Sequence, residues 1–406
     1  MNILFTSDVP CFFPVSGSEQ VLYQQAIGLS RKDLNVFAIT RINGDAESLT
    51  TRTIGTAKEA CYSIPSKSAV RIMSSLFKKP QQLYRNFIKE GSFCVSVCHQ
   101  PFTCISLLLS GKLTNIPMIY VFHSPSHQEY LLSDDNKTYW WKLIMAHIRK
   151  MIEGYCLKRA QKIIVLSKYM KRKAIQVHRI SKDLIVVNPG GVDLDRFKPP
   201  QDRNRIKTEL DYSVGKVHLL TVRNLEPRMG IDNLLKGFYL LKEKNIPVQL
   251  IIAGEGPEKE KIRKIVKEYG LITDVTLTGF VPPDKLAQYY GAADFFVLPT
   301  RDLEGFGLVT PESMACGTPV LGTPVGGTKE ILEKFDPQFL FDDTTPQAMA
   351  HGIRKVIDEY LKEEDKYNQL RTQCREFVAQ HYSWQRHIDT LESIIYQLVE
   401  SGKIKN

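Results

Sequence analysis

Short apolar runs alternate with amphipathic helical segments along this chain, and the alternation starts twice. In the first half, residues 2–8 predict a strand, residues 18–30 a helix with one apolar face, and residues 34–40 the next strand. Residues 217–222 and 249–254 resume the pattern in the second half. The order strand, loop, helix, strand is the start of a doubly wound parallel sheet. The sequence therefore predicts an α/β protein with two parallel sheets.

A polar segment that contains prolines separates the two alternations at residues 196–204. A chain of 406 residues is long enough for two domains, each with a buried core. We expect the first domain at residues 1–195 and the second at residues 205–380, with a helical segment at residues 381–406.

Three features favour a cytoplasmic protein. The first residues lack a basic leader and resemble a strand more than a signal peptide. No run of eighteen apolar residues is present, so we expect no membrane-spanning helix. The eight cysteines are scattered without a C-x-x-C pair, which favours buried thiols in a reducing compartment over disulfides or zinc.

The positive charge of the chain lies in its first half. Residues 1–200 hold 27 Lys and Arg against 14 Asp and Glu, a net charge of +13, and the remaining residues have a net charge of −3. A basic half suggests an anionic partner such as a membrane surface or a lipid-linked phosphate, although solubility alone also explains it. Residues 68–90 mix apolar and basic side chains, and this segment fits either a bilayer interface or a core-facing helix with a solvated basic face.

The stretch from residue 299 to residue 331 carries the strongest chemical signal. Glu304 and Glu312 are eight positions apart, and glycines at 305 and 307 follow the first of them. Thr310-Pro311-Glu312 predicts a helix start, with the threonine as cap. Amides of a glycine-flanked loop can bind an anion, and a carboxylate nearby can accept hydrogen bonds from sugar hydroxyls. These features together predict a site for a phosphorylated sugar, whereas a bare pair of glutamates would fit a solvated loop and a favourable helix-start charge better.

The ordered string E-G-F-G-L-V-x-P-E-S-M-A-C-G-T-P-V, which starts at residue 304, resembles the donor-site signature of retaining glycosyltransferase family 4. The resemblance implies the GT-B fold, in which two Rossmann-like domains face a central cleft and the C-terminal helix crosses back to the first domain. It assigns Glu312 to the nucleotide ribose and Glu304 to the donor sugar. It also assigns the diphosphate or sugar to the loop between them, through Gly305, Phe306, Gly307 and Leu308.

Members of this family often have an arginine and a lysine, six residues apart, in the loop after the first strand of the second domain. Arg223 matches the arginine, and Met229 stands where the lysine is expected. Either the neighbouring Arg228 supplies the charge, or the diphosphate is bound differently, because arginine differs from lysine in reach and geometry.

Two positions of the first half also resemble the family. His123 follows an apolar strand, at the edge of the sheet where ligands of such folds bind, and the family has a histidine there beside the donor sugar. Gly17 matches a glycine of a G-G-x-E loop, so it is a candidate for donor binding, with a plain helix cap as the alternative.

The resemblance implies a retaining transferase that moves a hexose-type sugar from a UDP- or GDP-sugar to a hydroxyl acceptor, with a lipid-linked or surface-polysaccharide precursor as one acceptor class. No D-x-D motif stands at a strand end, so we expect no metal ion, no cofactor other than the nucleotide sugar, and no nucleic-acid partner. Localisation at the cytoplasmic membrane surface would fit the basic half. The alternatives are a GT-B epimerase or hydrolase and a non-catalytic protein that binds nucleotide sugars.

Overall fold

The computed structural model describes residues 1–12, 14–42, 50–64, 69–133 and 138–403. Its strands are β1 (Asn2–Ser7), β2 (Asn35–Ile42), β3 (Thr50–Ile54), β4 (Ala57–Ser63), β5 (Val95–Cys98), β6 (Met118–Phe122), β7 (Lys162–Val165), β8 (Ile185–Val187), β9 (Val217–Val222), β10 (Val248–Ala253), β11 (Val275–Gly279), β12 (Phe295–Leu298) and β13 (Val320–Gly322).

The α-helices in the first half are α1 (Gly17–Ser30), α2 (Ala69–Phe87), α3 (Pro101–Leu109), α4 (Ser126–Leu132), α5 (Tyr139–Arg159) and α6 (Lys168–His178). Those that follow are α7 (Arg203–Glu209), α8 (Ile231–Glu243), α9 (Lys259–Glu268), α10 (Leu286–Ala292), α11 (Val309–Ala315), α12 (Gly326–Phe335), α13 (Pro346–Tyr360), α14 (Glu364–His381) and α15 (Trp384–Lys403).

The chain divides into two compact units. The first contains Met1–Leu131, the chain from α5 to Gly190, and helix α15; the second contains Gly191–Ser383. The polar linker predicted at residues 196–204 thus lies inside the second unit, since the change of unit comes at Gly191.

The sheet of the first unit has the strand order β3-β4-β2-β1-β5-β6-β7-β8. Strands β1, β2 and β4 to β8 run parallel, and only the edge strand β3 pairs antiparallel with its neighbour β4. Gly55, in the left-handed region with φ of +58°, makes the tight turn between β3 and β4. The prediction of parallel strands therefore holds for every pair except this edge hairpin.

Helix α2 makes up most of the segment at residues 68–90, and the last turns of this helix face inward. Leu83, Tyr84 and Phe87 are buried in one hydrophobic core together with Phe37 of β2 and Phe93, which precedes β5. The rings of Phe37 and Phe87 pack edge to face, with centroids 5.2 Å apart. This geometry fits the core-facing alternative for the segment; residue 68 itself lies outside the described residues.

Helix α15, at the end of the chain, packs against α1 within the first unit. At Gly28 the two helices are so close that a Cβ atom would lie 2.0 Å from the Cδ1 atom of Ile388. His387, beside this contact, is buried. The last helix therefore supplies both a close apolar contact and a buried imidazole to the first unit.

The sheet of the second unit has the order β11-β10-β9-β12-β13, with all four neighbouring pairs parallel. Strands β9, β10, β12 and β13 are buried almost continuously, as expected for a sheet with helices on both faces, whereas the edge strand β11 is partly exposed. Within the described residues, no helix of either unit is long and apolar enough to cross a lipid bilayer.

Candidate functional site

The strand order of the second unit places two loops side by side. From β9 the chain builds the sheet towards β10 and β11, and it then returns to add β12 and β13 on the other side of β9. Ligands of open parallel sheets bind at such a reversal, next to the carboxyl ends of the strands. Arg223 directly follows β9, and the Pro299–Glu304 loop directly follows β12. The topology thus brings together residues that are 81 positions apart in the sequence.

A buried ion pair joins these two loops. The Nη2 atom of Arg223 donates to the Oε2 atom of Glu304 at 2.7 Å, and both residues are buried. The same carboxylate oxygen accepts a hydrogen bond from the Thr300 hydroxyl at 3.0 Å. The Nε atom of Arg223 is also buried, and it has no hydrogen-bond partner among the residues that the structure describes. Buried N–H groups are nearly always paired, so this unpaired donor is an exception within the site.

The loop after β12 is held in a strained conformation. Leu303 has a φ of +54°, a left-handed conformation that is uncommon for a residue with a branched side chain. Its carbonyl oxygen accepts from the Nη1 atom of Arg228 at 3.0 Å. The carbonyl oxygen of Glu304 accepts from the Gly327 amide at 3.0 Å. These two bonds fix the backbone on both sides of the Glu304 side chain.

Glycine is required where helix α12 begins, because the Glu304 loop lies against it. Gly326 has a φ of +64°, and a Cβ atom there would lie 2.1 Å from the Glu304 carbonyl oxygen. Gly307 has a φ of +79°, and its Cβ atom would lie 2.4 Å from the Thr328 hydroxyl. The glycines at the two ends of this contact therefore set how closely the motif packs on the next helix.

The helix of the motif starts two residues earlier than predicted. Helix α11 begins at Val309 with Leu308 as its cap residue, and no side chain caps it. The prediction that Thr310 caps the helix was wrong, because this hydroxyl lies inside the helix, 3.4 Å from the Thr328 hydroxyl. Glu312 remains in the first turn, and Gly317 follows the helix end with a φ of +73°.

Glu312 is a half-buried carboxyl group with one neutral hydrogen-bond donor. The Tyr290 hydroxyl donates to its Oε2 atom at 3.0 Å. Burial raises the pKa of Glu312 to about 7, while the hydrogen bond from Tyr290 and the charge of Arg196 oppose the rise. Ionising this group in the folded protein is therefore costly.

Met229 occupies the position where the family resemblance predicts a lysine. It is buried, and its Sδ atom contacts the Nη2 atom of Arg223. The adjacent Arg228 directs its guanidinium to the Leu303 carbonyl, on the same loop as Glu304. Arg228 thus brings a positive charge to this loop, but it does so from a different position than a lysine at 229 would.

In the first unit, the predicted residue His123 belongs to a chain of four side chains. Its Nε2 atom lies 3.0 Å from the Nδ1 atom of His99, which follows β5. The Nε2 atom of His99 lies 3.0 Å from the Oε1 atom of Gln25, and the Nε2 atom of Gln25 lies 2.9 Å from the Nε2 atom of His387. This series of hydrogen-bonded side chains ends at the Pro189 carbonyl oxygen, which lies 2.8 Å from the Nδ1 atom of His387.

The assigned orientation of the Gln25 amide fixes every tautomer in this chain. Because a carbonyl can only accept, His387 carries its proton on Nδ1 and accepts from the Gln25 amide on Nε2. His99 must then donate from Nε2, and its Nδ1 accepts from His123. The Nδ1 atom of His123 is left as a hydrogen-bond acceptor, which suits a sugar hydroxyl.

The histidines of this chain are neutral near pH 7. Burial lowers the pKa of His123 to about 4, and the nearby His387 adds to the effect. Burial also lowers the pKa of His387 to about 4 and that of His99 well below its usual value. His123 is therefore suited to hydrogen bonding and not to proton donation.

Sequence reasoning identified His123 but missed the other members of the chain. His99 could have been found, because it follows its strand just as His123 follows β6. Gln25 lies inside α1 and His387 lies in the first turn of α15, and neither follows a strand or belongs to a motif that would mark it. Gly17 is the first residue of α1 and is exposed, and Ser16 caps the helix in a capping box with Glu19.

A second buried cluster supports the loop after His123. Glu153 accepts from the Ser126 amide at 3.2 Å and lies 2.9 Å from the Nε2 atom of His178. Within the described residues, Glu153, His178 and His127 form a group whose ligand atoms lie within 4.8 Å of one another, close enough for a metal ion. The hydrogen bonds explain the cluster as an anchor for α4, and metal-independent chemistry stays a prediction.

Comparison with known proteins finds a glycosyltransferase family model for each half of the chain. The family described as "Glycosyl transferases group 1" matches residues 202–377, and "Glycosyltransferase Family 4" matches residues 15–196. The chain belongs to the group 1 glycosyltransferases.

Among the curated relatives of this glycosyltransferase chain is the GDP-mannose-dependent alpha-(1-6)-phosphatidylinositol monomannoside mannosyltransferase of Mycobacterium tuberculosis, 30% identical over 204 residues. The match covers 48% of this chain and 51% of the relative, so the chain spans about half the length of that protein.

Solved structures confirm the GT-B fold class. Sucrose-phosphate synthase from Thermosynechococcus elongatus superposes with a TM-score of 0.81 at 20% identity, covering 98% of this chain and 99% of that one. Anabaena HepE in complex with UDP-glucose gives a TM-score of 0.75 at 17% identity, covering 98% and 100%. At these identities the likeness concerns the fold alone.

The raised pKa of Glu312 gives a prediction for the glycosyltransferase without ligand. The folded protein keeps a proton on Glu312 that the unfolded chain releases between pH 4.5 and about 7, so this group lowers stability as the pH rises through that window. We expect Glu312→Gln to be more stable than the wild type at pH 8 by about 1–3 kcal/mol, at about 1.4 kcal/mol per pKa unit, and equally stable at pH 4.5.

The measurement is urea-induced unfolding of both proteins at the two pH values. Glu268→Gln is the matched control, since this glutamate is exposed on α9. An advantage of Glu312→Gln that has the same size at both pH values would contradict the assignment.

For the buried neutral histidines we expect the opposite dependence of stability on pH, with lower stability at acidic pH. The pKa of His123 is lower in the folded protein than in the unfolded chain. As the pH falls from 6.5 towards 4, the unfolded chain therefore takes up a proton at this residue that the folded protein does not, and the free energy of unfolding decreases. We expect His123→Gln, whose amide can still donate to His99, to lose less stability than the wild type between pH 7 and pH 4.5, by up to about 3 kcal/mol. Unfolding midpoints at both pH values test this, with exposed His351→Gln as the unchanged control.

Proposed function

We propose that this chain is a retaining glycosyltransferase that moves a hexose-type sugar from a nucleotide-diphosphate donor to a hydroxyl acceptor. The observation that carries the proposal is the buried Arg223 guanidinium, placed at the reversal of the second sheet. One of its nitrogen atoms donates to Glu304, while its buried Nε atom has no partner among the described residues. A diphosphate oxygen is an acceptor of the right charge for that position.

The second unit offers complementary groups for each part of such a donor. Arg223 would stabilise the negative charge that develops on the diphosphate as the glycosidic bond breaks. Glu312, once ionised, would accept hydrogen bonds from the ribose hydroxyls. Glu304 would accept from the sugar, and backbone groups of the loop formed by Gly305, Phe306, Gly307 and Leu308 would contact the diphosphate or sugar.

The first unit would contribute His123 to the sugar. With its Nδ1 atom as an acceptor and a pKa of about 4, His123 can hold a sugar hydroxyl without transferring a proton. None of these groups is placed as a covalent nucleophile by the sequence, so we propose attack on the same face as the departing diphosphate, with retention of configuration. Metal-independent turnover is part of the proposal.

Two donor classes remain open. A relative is named as GDP-mannose-dependent, and one protein of similar fold binds UDP-glucose. For the acceptor we propose a lipid-linked precursor of a glycolipid or surface polysaccharide, reached by a protein that works at the cytoplasmic membrane surface. The basic first half of the chain supports an anionic acceptor or surface, with a net charge of +13 over residues 1–200.

A non-catalytic protein that binds nucleotide sugars is the second candidate. The observation that favours it is Met229, which leaves Arg223 without the neighbouring lysine that the family resemblance predicts. Such a protein would bind the donor without turning it over, whereas a transferase would do both. An epimerase or hydrolase of the same fold would instead release an altered nucleotide sugar or a free sugar.

The donor site predicts selective stabilisation by one nucleotide class. We expect one of UDP-glucose, UDP-GlcNAc, UDP-galactose and GDP-mannose to raise the melting temperature in the presence of EDTA. Glu312→Ala should abolish the shift, because the ribose loses its acceptor, while Glu333→Ala, an exposed glutamate on α12, should retain it. If no donor shifts the wild type, or if Glu312→Ala retains the full shift and turnover, the proposed site is wrong.

The Met229 position predicts a gain of affinity. Met229→Lys places an ammonium group beside Arg223, so the protein without donor should be less stable by about 1–3 kcal/mol owing to the buried like charge. A bound diphosphate would neutralise both cations, and we expect the donor to bind up to about tenfold more tightly, which corresponds to about 1.4 kcal/mol. Calorimetric titration of both proteins measures this. Met229→Leu is the control, and equal affinities of Met229→Lys and Met229→Leu would show that Arg228 already supplies the charge.

A further inference from the structure

Helix α5 exposes a stripe of large apolar side chains to solvent. Trp140, Ile144, Ile148, Met151 and Tyr155 are all exposed, and Trp140 and Met151 retain 76% and 63% of their accessible surface. Successive residues of an α-helix are turned by about 100°, so these five side chains fall within an arc of about 80° along four turns. A continuous apolar stripe of this kind is uncommon on a protein that has no partner for it.

The opposite face of α5 is firmly attached to the first unit. Ala146, Glu153, Cys156 and Leu157 are buried there, and the helix packs against α3. The Glu153 carboxylate is held by the Ser126 amide and His178. The apolar stripe is therefore presented by a helix that is fixed by the core, and it is not the result of a loosely placed segment.

The charges around the stripe identify the partner. Helix α5 has five basic residues and one acidic residue, and that acidic residue is the buried Glu153. Lys150, Lys158 and Arg159 are exposed. Trp141 and Tyr139, at the start of the helix, are exposed as well. Aromatic and aliphatic side chains flanked by lysine and arginine are typical of helices that lie in the headgroup region of an anionic bilayer.

We propose that helix α5 docks the protein on an anionic lipid bilayer, with the stripe of Trp140, Ile144, Ile148, Met151 and Tyr155 inserted at the level of the headgroups. A second copy of the chain is a poorer occupant, because a symmetric contact would bring the basic residues of both helices together. Docking on a bilayer would bring the protein to the proposed lipid-linked acceptor, so the biological role of the docking rests on the proposed function. The test of the docking does not, since lipid binding requires neither donor nor turnover.

The tryptophans make the docking directly measurable. The chain has three, of which Trp140 and Trp141 are exposed on α5 and Trp384 is buried. On addition of vesicles of phosphatidylcholine and phosphatidylglycerol we expect a blue shift of the tryptophan emission and co-sedimentation of the protein. Vesicles of phosphatidylcholine alone should give neither, and high salt should weaken the binding.

Variants locate the contact. Ile144→Ser combined with Met151→Ser should weaken vesicle binding at least tenfold, and Lys150→Gln combined with Lys158→Gln should reduce its salt dependence. Val214→Ser combined with Ile272→Ser is the matched control, because both side chains are exposed and apolar but lie outside α5. All substitutions are on the surface, and a cooperative thermal unfolding transition, measured without donor or lipid, shows that each variant is folded.

Two results would overturn the proposal. One is wild-type protein that neither sediments with the anionic vesicles nor shifts its emission. The other is vesicle binding that the Ile144→Ser and Met151→Ser substitutions leave unchanged. Self-association that these substitutions abolish, in a protein without vesicle binding, would assign the stripe to a second copy instead. Each of these outcomes is independent of whether the donor binds.

Discussion

The ion pair between Arg223 and Glu304 is the interaction on which the candidate donor site depends. Both side chains are buried, and removal of one partner from such a pair typically costs about 3–5 kcal/mol, because the other charge is left unpaired. The pair joins the loops that follow β9 and β12. These strands are neighbours because β10 and β11 lie on one side of β9, and β12 and β13 lie on the other side. The rest of the site is arranged around this contact, from the strained Leu303 to the glycines that let α12 approach.

The two glutamates of the motif lie in different electrostatic environments. Glu304 is paired with a cation and a hydroxyl group. Glu312 has a tyrosine hydroxyl as its close donor, and its pKa is raised to about 7. A carboxyl group that is costly to ionise in the folded protein can gain from hydrogen bonds that a ligand brings. Glu304 thus joins the two loops as an ion-pair partner, whereas Glu312 is a carboxyl group whose ionisation is disfavoured in the folded protein.

The first unit is organised around uncharged polar groups. His123, His99, Gln25 and His387 form a chain in which each group donates to the next, so that one acceptor atom remains at the His123 end. Helix α15 supplies the other end of this chain, through His387. The final helix of the protein therefore contributes to the state of a histidine that lies more than two hundred residues earlier.

The α/β class, the family and most of the candidate donor residues could be predicted from the sequence, because strand and helix periodicities and the glutamate motif are local patterns. The sequence also marked Met229 as a departure from the family. The folded structure was needed to show that Arg223 pairs with Glu304, that Thr310 does not cap α11, and that Gln25 and His387 complete the histidine chain. The same holds for the apolar residues of α5, whose exposure no periodicity reveals. Contacts between distant residues and the direction that a helix face takes depend on how the whole chain packs, and a local pattern carries no information about either.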